Sequence, residues 1–212
     1  MHLRRLRAIV GARLYAQRRF VIFACALAFV VGVIQPHGIV ATFDPHADNL
    51  SARAVWLAGP IFVGALLGTW IALAQRTEHP GVLDFSEQTA PLFGRELARA
   101  KAVVPCAIVT PALLAYWLGQ GIGGFPPSLG YFAMGLVAAI AATLIALSGT
   151  LRQGAQRAFY AVLAPASAAI AYAIAVYAPP WVGVVGELCF AAIVAFIALR
   201  QYGEALARYD PL

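Results

Sequence analysis

The sequence predicts an all-α polytopic membrane protein: six transmembrane helices behind an N-terminal interfacial amphipathic helix, with both termini cytoplasmic. Three observations predict it. Of 212 residues, 62% are hydrophobic and only 11% charged, against roughly a quarter charged in soluble domains. Apolar runs near the ~20 residues that cross a hydrocarbon core follow one another along the chain. All but one of the arginines lie in the terminal segments and in alternate breaks between those runs. The net charge of +6 is therefore an orientation signal, and no nucleic-acid partner is expected.

Residues 1–19 carry Arg4, Arg5, Arg7, Arg13, Arg18 and Arg19, with Leu3, Leu6, Val10 and Leu14 at helical spacing between them. That pattern fits a helix lying on an anionic lipid surface. The first span is read at 20–40, broken near Gln35-Pro36-His37-Gly38, and the second at 54–74. The third, 102–118, is the shortest and holds Pro105 and Pro111, so a kink is expected. The fourth, fifth and sixth are read at 129–147, 158–177 and 181–199, so that 1–212 forms one membrane domain. The N-terminal segment, 75–101, 149–157 and the C-terminal tail hold 14 of the 15 Lys and Arg; Arg53 is the other. By the positive-inside rule these segments face the cytoplasm, and the chain belongs in the cell inner (cytoplasmic) membrane. Trp56, Trp117 and Trp181 then fall near the opposite interface. Small residues crowd the spans at 138–142, at 164–178 and at Gly64 and Gly68, which favours close internal packing over a dedicated dimer motif.

Catalytic motifs are lacking. Gly119-Gln120-Gly121-Ile122-Gly123-Gly124 satisfies GxGxxG, but it follows an apolar span instead of a strand and reads as a hairpin turn. No phosphate loop is present, so ATP hydrolysis would reside in another chain, and nothing supports an enzyme. The cysteines Cys25, Cys106 and Cys189 lie inside apolar runs without metal or redox spacing, and no metal site is expected. His37 and His46 flank a loop with Asp44 and Asp48. A pair of imidazoles there would suit a metal or a haem iron, but without a third ligand solvated loop histidines are the simpler account. Glu187 is the sole acidic residue within a span. It is either a substrate-path or proton-linked site, or a carboxyl near the membrane face that snorkels or keeps its proton.

The longest polar interruption is 75–101. Val82, Leu83, Asp84, Phe85 and Glu87 form a short amphipathic segment within it, suited to docking a protein outside the membrane. Arg95, Glu96, Arg99 and Lys101 then open the helix that enters the third span, with Glu96 and Arg99 spaced to pair. Arg76, Glu78, Gly81, Leu83, Pro91, Arg95, Glu96, Leu97 and Lys101 resemble, in order, the coupling-helix pattern of type-2 ABC exporter permease subunits. Ala54-Val55-Trp56-Leu57-Ala58, the 146–154 stretch ALSGTLRQG and Leu163-Ala164-Pro165 are similar to the B-subunit family of the haem exporter of cytochrome c maturation. The link Ala178-Pro179-Pro180 is too short for the outer re-entrant helices common among these permeases.

The resemblance implies that 82–89 docks into an ABC ATPase subunit carrying the ATP. It also implies that the permease pairs with a second copy or a related chain in the lipid. No cofactor would reside in this chain; haem would be a candidate cargo, with lipid-linked material and small peptides as others. Two alternatives come from other classes: a non-transporting scaffold or assembly subunit of a membrane complex, and a secondary carrier using Glu187 as its proton site.

Overall fold

The computed structural model describes residues 10–11, 13–40, 57–74, 94–124, 128–152 and 154–208. Among them there is no strand. Six helices follow one another: α1 Arg18–Val40, α2 Gly64–Ala74 with a π-turn at Gly59–Val63 ahead of it, α3 Gly94–Ile122, α4 Leu129–Thr150, α5 Gly154–Tyr177 and α6 Pro180–Arg208. Five of the six are long and apolar enough to cross a membrane; the π-turn and α2 together form a shorter apolar helix, Gly59–Ala74.

The helices alternate in direction. Phe20 near the start of α1 packs on Trp70 near the end of α2, with ring centroids 5.1 Å apart. Trp117 near the end of α3 meets Phe132 near the start of α4. The Ser148 hydroxyl at the end of α4 lies 2.9 Å from the Ala198 carbonyl in the second half of α6. Tyr160 near the start of α5 donates to Gln201 of α6 at 2.8 Å. Every described Arg and Lys therefore collects at one end of the bundle: Arg13, Arg18 and Arg19, the start of α3, Arg152, Arg157, and Arg200 onward on α6. The opposite end carries Gln35, Gln120 and the α5–α6 link.

The fourth helix is the axis of the fold. It packs against the π-turn, α2, α3, α5 and α6, and an unbroken run from Ala141 to Gly149 is buried. Its composition explains why: Gly135, Ala138, Ala139, Ala141 and Ala142 let neighbouring backbones approach where hydrocarbon supplies no hydrophobic drive and dispersion must hold helices together. Gly64 of α2 lies against the Gly135 carbonyl and Gly68 against the Ala139 carbonyl, while Gly135 lies against Pro60. These contacts place the Gly64 and Gly68 pair inside this chain's own packing. The first helix is peripheral and packs chiefly on α3. Its Ala24, Ala28 and Gly32, four residues apart, form the buried stripe. Gly32 sits on the Tyr116 carbonyl and Gly119 on the Phe29 carbonyl, a reciprocal close crossing. Outward, α1 exposes Ile22, Phe23, Leu27, Val30 and Ile34, and α6 exposes Val185, Ile193, Phe196 and Ile197, the apolar surface a bilayer would cover.

Several sequence expectations shift. The break near Gln35-Pro36-His37-Gly38 does not end α1, whose helix runs on to Val40; membrane helices tolerate an internal proline because nearby groups satisfy the freed carbonyl. The third span is not the shortest: α3 covers 29 residues through Pro105 and Pro111, because the polar lead Gly94-Arg95-Glu96-Leu97 is already helical and the expected loop at 119–122 is its last turn. Gly119 is thus a helix-crossing residue, and the turn falls at Gly123 and Gly124, where Gly124 has φ +92°. The fifth and sixth spans also extend, to Gly154 at one end and Arg208 at the other. The amphipathic segment is helical at 13–16 and joins α1 through a turn at Gln17, whose N–H still reaches the Arg13 carbonyl; Val10 and Leu14 pack at the edge of a core cluster to which α1, α2, α3 and α4 contribute.

Candidate functional site

Within a lipid-filled setting the informative side chains are the polar ones that water cannot reach. Five polar or charged residues are buried among the described residues: Gln120, Thr143, Ser148, Ser167 and Glu187. The three hydroxyls satisfy themselves locally. Thr143 donates to the Ala139 carbonyl at 2.6 Å and Ser167 to that of Ala164 at 2.7 Å. Ser148 lies 2.9 Å from the Leu144 carbonyl as well as that of Ala198, so its proton ties α4 to α6. These are the back-bonds that let Ser and Thr sit inside an apolar helix.

Gln120 belongs to a clamp at the end of the bundle away from the arginines. Its Nε2 donates to the Tyr116 hydroxyl at 2.9 Å, and that hydroxyl donates to Gln35 Oε1 of α1. Gly59, in the π-turn, closes the group: a Cβ there would stand 2.5 Å from the Tyr116 oxygen and 3.0 Å from Gln35 Nε2. Pro60 brings no N–H to the helix ladder, and the turn around it is the wider π form. The clamp thus joins α1, the π-turn and α3 in one place. Sequence reading missed it. Gln35 fell in an expected break and Gln120 in an expected loop; the signal was Tyr116 and Gln120 four residues apart on one helix face.

Glu187 is different. It is 0% exposed, and neither carboxyl oxygen has a hydrogen-bond partner among the described residues. It sits on the buried stripe of α6 with Gly183, Ala191, Ala198 and Tyr202, turned toward the helices α6 packs on, chiefly α4, then α5 and α3. Seven residues separate it from the helix start, about 10 Å at 1.5 Å per residue. The side chain is therefore enclosed within the bundle.

The remaining candidate residues divide by position. Arg95, Glu96 and Arg99 occupy the opening turns of α3, and Lys101, half-buried, follows where that helix becomes apolar. Val82, Leu83, Asp84, Phe85, Glu87 and His46 lie outside the described residues; His37 is within α1. Among the described residues no cluster of three or more His, Cys, Asp or Glu could hold a metal ion. At the arginine end, Arg152 stacks over the Tyr160 ring, 4.9 Å from its centroid, and reaches Gln156.

The described helices define a membrane-embedded, multi-pass helical bundle. No protein family, curated protein or solved structure matches the chain.

Proposed function

We propose that this chain is the membrane-spanning permease subunit of an ATP-driven exporter of the type-2 ABC class, with its arginine-bearing end in the cytoplasm and its ATP on a partner subunit. The observation that carries the reading is the approach to α3. The ordered set Arg76, Glu78, Gly81, Leu83, Pro91, Arg95, Glu96, Leu97 and Lys101 precedes and opens a helix that continues without interruption from Gly94 to Ile122. A push delivered at Arg95 would travel along that rod to Tyr116, Gln120 and the π-turn, because a continuous helix transmits displacement as a rigid body. Segregation of the described Arg and Lys to one end supports the orientation. Export or delivery related to cytochrome c maturation, with haem as cargo, is the narrower form of the same proposal. In it the permease works as a pair.

The test is a pull-down from mild detergent, comparing the native chain with one carrying Leu83→Asp and Phe85→Asp. Placing two carboxylates on the apolar side of an amphipathic docking segment forfeits roughly 2 kcal/mol at each site, so affinity for an ATP-binding subunit should fall about thirtyfold per site and by up to about a thousandfold for the pair. If no ATPase accompanies the native chain in several detergents, the permease proposal is wrong, and a scaffold or assembly role takes its place.

A further inference from the structure

Glu187 has no role in the coupling argument, yet it is the one buried polar residue among the described residues whose side chain has no hydrogen-bond partner. Its position makes a charge untenable where it stands. A charge at the centre of a spanning helix costs about 2.5–3.5 kcal/mol on insertion scales; Glu187, nearer the start of α6, bears less of that cost, but its full burial without a hydrogen-bond partner adds its own.

Among the described residues no counter-charge is at hand. On α6 itself Arg200 and Glu204 pair with each other at 3.0 Å; Arg200 lies thirteen residues farther on, about 20 Å along the axis. On α4 the titratable group is Tyr131, at the edge of the core cluster. On α5, Tyr172 stacks against Phe62 with centroids 5.1 Å apart, Tyr177 is exposed at the helix end, and Tyr160 and Arg157 are at the arginine end. On α3, Tyr116 is held in the clamp, Cys106 borders the core cluster and Lys101 begins the apolar stretch. None of these bonds to Glu187.

The chemistry of the occupant follows. A metal cation needs several oxygen or nitrogen ligands, and one carboxyl on a stripe of Gly183, Ala191, Ala198 and Tyr202 supplies too few. A proton needs a single ligand. The packed arrangement fits the neutral acid, whereas the carboxylate requires water, which enters only if α6 separates from α4. Such separation is within reach: the Ser148–Ala198 hydrogen bond between α4 and α6 lies near the other end of α6. We propose that Glu187 is a single-proton site, and that releasing its proton is coupled to opening α6 away from α4 at the end where α6 begins. The coupling is independent of the ATPase proposal and would hold for a scaffold as well as for a permease.

The sign is fixed by mass action. Opening releases one proton, so the opening equilibrium rises with pH, by up to about tenfold per pH unit while the proton is being lost. The experiment uses the full chain in liposomes, with Cys25, Cys106 and Cys189 replaced by Ala and a single reporter, Ala191→Cys, one turn from Glu187 on the same stripe. Labelling by a membrane-impermeant thiosulfonate is followed between about pH 6 and about pH 9, on either side of the ordinary range where a thiol begins to ionise. A matched chain carrying Glu187→Gln corrects for ionisation of the thiol. The expected result is a labelling rate that rises at least about tenfold more in the Glu187 chain than in the Glu187→Gln chain. Identical pH profiles overturn the proposal. So does protection of the reporter by sodium or magnesium ions at fixed pH, which would make the site a metal-cation site.

The second measurement needs no cysteine variant. Infrared difference spectra of the native chain in bilayers should lose a protonated-carboxyl carbonyl band as pH rises, and Glu187→Gln should lack that band. A native spectrum with no band sensitive to Glu187→Gln overturns the proposal independently of the labelling.

Discussion

The crossing of α2 and α4 gives a quantitative test of how the bundle is held. A methyl group added at Gly64 would stand 2.7 Å from the Gly135 carbonyl oxygen and 3.3 Å from Ala139 Cβ, where ordinary contact begins near 3.4 Å. Gly64→Ala therefore requires α2 to retreat from α4 by about 0.7 Å. Backbone atoms cannot rotate aside, so the whole seam loosens, and packing that falls steeply with distance is lost along it. Overpacking of this kind costs about 1–3 kcal/mol. Gly135→Ala meets the adjoining contact between α4 and the π-turn that leads into α2, 2.8 Å from the Pro60 carbonyl oxygen and 2.9 Å from Pro60 Cβ, and should cost a similar amount. The double variant is the informative one. Once the helices have parted for the first methyl, the second finds room already made, so the pair should cost less than the sum of the singles by roughly 0.5–1.5 kcal/mol. Reversible unfolding in mixed micelles, titrated with a denaturing detergent, reads all three differences. Strict additivity, or a Gly64→Ala chain as stable as the native one, would refute the claim that backbone contact between α2 and α4 carries this seam.

Two further outcomes follow from the buried polar groups. Tyr116→Phe removes the hydroxyl that both glutamines use and leaves the buried Gln120 amide without its partner; stability in the same assay should fall by about 1–3 kcal/mol, and a neutral result would show that the clamp is not formed in the bilayer. Glu187→Met replaces an unpartnered buried carboxyl with an apolar side chain of similar size, and should raise stability by about 1 kcal/mol or more while abolishing the pH-dependent labelling; a destabilised chain would mean that Glu187 has a bond to a group the packed bundle must keep.

The apolar helices were legible because lipid leaves few solutions: apolar runs of near-crossing length, punctuated by arginine, admit helices and little else. Their ends were not. The starts and stops of α3 and α6 depend on whether polar residues such as Arg95, Arg200 and Glu204 continue a helix beyond its apolar part, and apolar periodicity does not report that. Gly64 and Gly68 were readable as packing residues because small residues four apart have one common use in lipid. The clamp was invisible because it joins Gln35, Gly59 and Tyr116 across three helices, and a single sequence carries no record of which faces meet. Glu187 stood out as a lone carboxyl in an apolar run, but whether it snorkelled or turned inward depended on the buried stripe of α6, which only the packing of that helix defines.

The hydroxyls of α4 also bear on the order in which the bundle is made. Helices leave the ribosome from the N-terminus onward, so the helix at the centre emerges before two of the neighbours that will surround it. It must wait in lipid without them. Thr143 and Ser148 can bond to carbonyls of their own helix, so α4 needs no partner to silence its polar atoms during that interval. When α6 follows, the Ser148 proton can be shared with Ala198. The residue that tolerates solitude during synthesis is thus also the one that ties α4 to a helix made later.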